Sequence, residues 1–93
     1  MNEIVPEQQI SAAEIIESLR DQVRQLYSGG LNAVVERKIP TKKGLCRVAA
    51  CASAYGLHFE IGSLDEAAPV TVHVFADAQQ EQAAALLSRY LQP

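Results

Sequence analysis

Three groups of residues have the types and spacing to do chemistry. The first is a basic run from Glu36 to Arg47, E-R-K-I-P-T-K-K-G-L-C-R, which holds five of the chain's eight Lys and Arg residues. The second joins His58 and Glu60, two positions apart, with a further imidazole at His73. The third is the thiol of Cys46, set between Lys43 and Arg47, with Cys51 five residues on.

Each group implies a definite chemistry. If a helix starts near Lys42, then Lys42 and Lys43 occupy its first turn, at the positive end of the dipole, where cations are misplaced. Free amides there, two ammonium groups, Arg47 one turn on and Gly44 allowing close approach make an anion site of Arg37, Lys38, Lys42, Lys43 and Arg47. A phosphate, a nucleic-acid backbone or an acidic protein surface fits such a site. The segment lacks the glycine and lysine order of a nucleotide-binding loop. The plainer reading is a solvated edge, offset by Glu36, Asp65 or Glu66, whose charges deter edge-to-edge strand pairing.

His58, His73 and Glu60 suit a divalent metal or a pH-sensitive pair. Neither H-x-x-x-H nor C-x-x-C spacing accompanies them, and the cysteines are expected on a helix across the core. No metal site and no cofactor is therefore assigned. Cys46 in a helical first turn beside two cations would have a lowered thiol pKa. With no general base at a recognisable spacing, packing is the preferred role. No catalytic residue is assigned, and the chain reads as a non-enzyme.

The elements that must position these groups follow from hydrophobic spacing. Ser11-Ala12-Ala13-Glu14 is a capping box, opening a helix that runs to about Tyr27 and stops at Ser28-Gly29-Gly30. Its stripe is Ala12, Ile16, Leu19, Val23 and Leu26, widened by Ile15. Leu31 to Ile39 alternates as a strand that Pro40 ends, with Ala33 and Val35 on one face and Val34 on the other. Thr41 caps a predicted helix over 42–55, closed by Gly56; its alanines decide for helix, since Ala is a poor strand former. On that helix Cys46 and Cys51 point roughly 140° apart and cannot bond. Strands follow at 57–61 and 70–75, then a helix from Asp77 burying Ala83, Leu86, Leu87 and Tyr90.

The resulting order is α-β-α-β-β-α: a small α+β two-layer sandwich, with helices on a three-stranded mixed sheet containing a right-handed β-α-β unit. Parity adds a constraint. Placing Leu57, Phe59 and Ile61 on the same side as Val70, Val72 and Val74 requires opposed residue numbers with an odd sum, 131 or 133. Both histidines and Glu60 then lie on the face turned away from the core.

Composition bounds the rest. Ninety-three residues, 48% hydrophobic and 20% charged, fit one domain at 10–93 after a polar, flexible segment at 1–9. A net charge of −3 argues against a general nucleic-acid coat. Two cysteines are no disulfide framework, the amino end lacks signal-peptide features, and no apolar run suits a bilayer; the expected address is the cytoplasm. The leading functional reading is a small interaction protein, an adaptor, chaperone-like or regulatory subunit. It would self-associate as a homodimer through Ile16, Leu19, Val23, Leu26, Val34 and Phe75, because apolar surface exceeds what one small sheet covers. The rival reading is a nucleic-acid or phosphate-binding module using the basic run, weakened by the absence of aromatic residues for base stacking.

Overall fold

The Ser11 hydroxyl accepts the amide proton of Glu14 at 3.1 Å and so opens helix α1, Ala12–Leu26, as the capping box predicts. The computed structural model describes residues 11–42, 44–64 and 71–92. The expected flexible segment 1–9 and Lys43 lie outside the described residues. Helix α1 buries Ala12, Ile15, Ile16, Leu19 and Val23, and Gly29, at φ 69°, turns the chain out of it.

Four strands follow in a meander: β1 Ala33–Thr41, β2 Gly44–Ser53, β3 Gly56–Ser63 and β4 Val72–Ala76. Every neighbouring pair is antiparallel, and the spatial order is the sequence order β1-β2-β3-β4. Helix α2, Gln80–Leu91, is entered through one 3₁₀ turn at Asp77–Gln79. The Gln79 side chain accepts from the Ala76 amide at 2.9 Å and so fixes that entry.

This corrects the predicted middle helix. Residues 44–53 are a central strand, so the sheet has four antiparallel strands, not three in mixed directions, and no β-α-β unit forms. Alternation is present but hidden. Cys46, Val48, Ala50 and Ala52 face the core, while the outward positions Leu45, Ala49 and Cys51 are themselves small or apolar. Hydrogen bonding to strands on both sides outweighs alanine's weak strand preference. Gly44 (φ 113°), expected inside the helix, and Gly56 (φ 125°), expected to close it, each follow a two-residue hairpin loop. Pro40 does not end β1; it lies opposite Leu45 in an edge strand, where proline is tolerated.

Both helices pack on one face of the sheet, α1 over β1 and β2, α2 over β3 and β4, and they touch each other. The core between the layers holds Ile16, Leu19, Val23, Val48, Phe59, Ile61, Ala83 and Leu87. Arg20 and Arg24 of α1 reach Asp77 at the start of the 3₁₀ turn, pinning the two helical ends of the chain together. The Arg20 Nε lies 2.9 Å from Oδ1 in a bent approach, while its Nη2 donates to Oδ2 at 3.4 Å.

The parity expectation fails in one respect. Opposed residues in β3 and β4 are His58 and Ala76, Phe59 and Phe75, Ile61 and His73, an even-sum register. Phe75 thereby packs against the core opposite Phe59, and Val72 and Val74 turn outward. One large aromatic ring displaces two valines from the inner face.

Candidate functional site

The face of the sheet opposite the helices carries the chemistry. Its outward residues are Val34, Glu36 and Lys38 on β1, Arg47, Ala49 and Cys51 on β2, His58 and Glu60 on β3, and Val72 and Val74 on β4. Across its middle runs an ionic ladder. Arg47 Nε donates to Glu36 Oε2 and Arg47 Nη1 donates to Glu60 Oε1 at 3.1 Å, so one guanidinium joins three strands. Lys38 Nζ lies 4.0 Å from the other Glu36 oxygen. His58 Nε2 meets the other Glu60 oxygen, Oε2, at 3.0 Å.

Sequence spacing builds this ladder. In the register, Ala49 stands directly between Glu36 and Glu60, and Arg47 is two residues along on the same face. The guanidinium therefore reaches both carboxylates diagonally, over the small side chain. Ala49 has no accessible surface although no helix covers it, because the charged side chains do.

The electrostatics agree with the geometry. Arg47, through its hydrogen bond and then its charge, holds the Glu36 carboxyl below its ordinary value. Glu60 is lowered by its hydrogen bond to His58 and then by Arg47. Glu36 foremost raises Arg47 in turn. Cys51, half-buried beside this network, has its thiol pushed up by burial and then by the Glu60 carboxylate.

The sequence-predicted residues are scattered by this arrangement. Arg37 is exposed on the helix side of β1, opposite Val48; Lys38 and Arg47 are on the outer face; Lys42 is exposed in the β1–β2 hairpin. The helix start that was to gather them into an anion pocket does not exist, and Arg47 is already held between two carboxylates. Most of the predicted interface is buried as well. Ile16, Leu19 and Val23 are core residues and Phe75 is half-buried against that core, so none of these four is open to a partner. Leu26 and Val34 are exposed.

His58 and Glu60 meet on the outer face as expected, but His73 does not join them. It sits at the helix-side edge, near Leu86, Arg89 and Tyr90. Cys46 is buried on the core face of β2, and burial raises its thiol pKa, the opposite of the activation expected at a helix start. Cys51, five residues on, faces the other way and stands directly across from His58. Sequence reasoning missed Cys51, Val72 and Val74 as surface partners of His58 and Glu60. The signal was the alternation from Leu45 to Ser53, legible only when those residues are read as extended.

Comparison with family models, with curated proteins and with solved structures finds no match to this chain. No helix among the described residues is long and apolar enough to cross a membrane.

Proposed function

We propose that this chain is a small, non-catalytic binding subunit that docks to protein through the open face of its sheet, with a second copy of itself as the simplest partner. One observation carries the reading. Both helices cover the same face, and on the other Val34, Val72 and Val74 are 54%, 49% and 62% exposed, flanking the ionic ladder. A sheet face with apolar flanks and a polar middle suits an isologous contact, in which the same patch serves both partners. The fixed charges of Glu36, Arg47 and Glu60 would set the register of such a contact and reject ill-matched surfaces. A reducing compartment such as the cytoplasm suits two thiols that lie on opposite faces of one strand.

The test is the mass in solution of the full chain and of the double variant Val72→Lys/Val74→Lys, by sedimentation or light scattering. Wild type is expected as a dimer and the variant as a monomer with unchanged far-ultraviolet circular dichroism. A monomeric wild type at the highest attainable concentration would overturn self-association. A variant that stays dimeric would move the contact off this face.

A further inference from the structure

The register brings together a sulfur, a nitrogen and an oxygen ligand that belong to no hydrophobic packing. Cys51 and His58 are directly opposed on β2 and β3, and Glu60 is the next outward residue along β3. One ligand atom from each lies within 4.8 Å of the other two. From this geometry we propose that Cys51, His58 and Glu60 form a three-ligand site for a thiophilic divalent cation, zinc foremost, on the open face of the sheet.

Several features fit that chemistry. Tetrahedral zinc, with bonds of about 2.0–2.3 Å to nitrogen, oxygen and sulfur, separates its ligand atoms by about 3.3–3.6 Å. His58 Nε2 and Glu60 Oε2, 3.0 Å apart, need to open slightly, and Cys51 Sγ needs only a side-chain adjustment to close on them. The two oxygens of Glu60 are already divided: Oε1 accepts from Arg47, and Oε2 faces the imidazole. Arg47 thus orients the carboxylate from outside, as a neighbouring hydrogen-bond donor does for ligating groups in built metal sites. Its positive charge opposes the cation, and Glu36 on its other side offsets that charge.

The mixed donor set selects the metal. Magnesium and calcium prefer oxygen alone, whereas thiolate with imidazole favours zinc and its neighbours. On binding, the Cys51 S–H bond breaks, its proton leaves to solvent, and the sulfur's electron pair forms the bond to the metal. Thiolate and carboxylate then balance a doubly charged cation. Three protein ligands leave a fourth position for water or for a donor from a bound partner. The site shares the open face with the docking reading: Glu60 serves both, and Val34 and Val74 stand opposite Cys51 and Glu60.

The experiment uses the full chain, reduced and treated with chelator, titrated with zinc chloride alone by calorimetry and with cobalt(II) by absorption. One equivalent is expected to bind, with a sulfur-to-cobalt charge-transfer band. Cys51→Ser and His58→Gln are each expected to weaken zinc by more than about tenfold, the loss that even an outer-shell partner can cause. Cys46→Ser, in the core, should leave the cobalt band in place if it folds. In wild type, zinc but not magnesium should slow alkylation of Cys51, a readout that needs no variant. Absence of zinc binding, full affinity in Cys51→Ser, or unprotected Cys51 under saturating zinc would overturn the site. Zinc titration of wild type diluted until it sediments as a monomer separates the two readings: one equivalent bound there upholds the site with no second copy present.

Discussion

At the scale of single residues, Arg47 decides how the outer face behaves. Replacing it by Ala leaves Glu36 and Glu60 flanking Ala49 with no cation between them. The expected result is a lower urea midpoint, partly recovered by Lys, whose point charge cannot reproduce the guanidinium's two-sided fork. Proton linkage gives a second expectation. Glu36 and Glu60 have pKa values below the ordinary 4.5, so the stability they contribute is complete above that pH and is lost as pH falls through their folded values. Thermal melts of chelator-treated protein should therefore fall on the acid side, and Glu36→Gln should flatten that limb. An acid limb unchanged by Glu36→Gln would show that other carboxylates control it.

At the scale of elements, two positions carry definite costs. A Cβ placed on Gly62 would lie 2.6 Å from the backbone oxygen of Thr71, which cannot swing away as a side chain would. Gly62→Ala should cost about 1–3 kcal/mol, the usual range for overpacking, measured by chemical denaturation. Ser11→Ala should cost about 1 kcal/mol by removing the cap of α1. Both helices, β3 and the core stripe Ile16, Leu19, Val23 were legible in the sequence, because caps and a two-sided pattern agree there. Strand β2 was not, since apolar Leu45, Ala49 and Cys51 on its outward side erase the contrast that marks a half-buried strand. The register of β4 was also hidden: Val72 and Val74 promise as regular an inner face as His73 and Phe75, and only the opposing Phe59 decides between them. The candidate site inherited both errors. His58 and Glu60 were paired correctly, while Cys51 was assigned to a helix across the core.

At the scale of the whole molecule, the described residues form two layers, one of helix and one of sheet, and none of their helices covers the outer face of the sheet. The edge strand β1 presents Glu36, Arg37, Lys38 and Pro40, features that discourage a further strand from joining the sheet. A partner is thus directed to the face and away from the rim. The meander has a consequence for kinetics. Every strand pairs with its neighbour in sequence, the first three through two-residue loops, while α1 meets α2 and Asp77 only after the full length of the sheet has been traversed. Loop closure favours the hairpins early and the joining of the two chain ends late. Stopped-flow measurements should find that Gly56→Ala slows refolding, whereas Asp77→Ala leaves refolding nearly unchanged and accelerates unfolding. The clasp between the helices would then govern how long the native state lasts, and the hairpins how quickly it is reached.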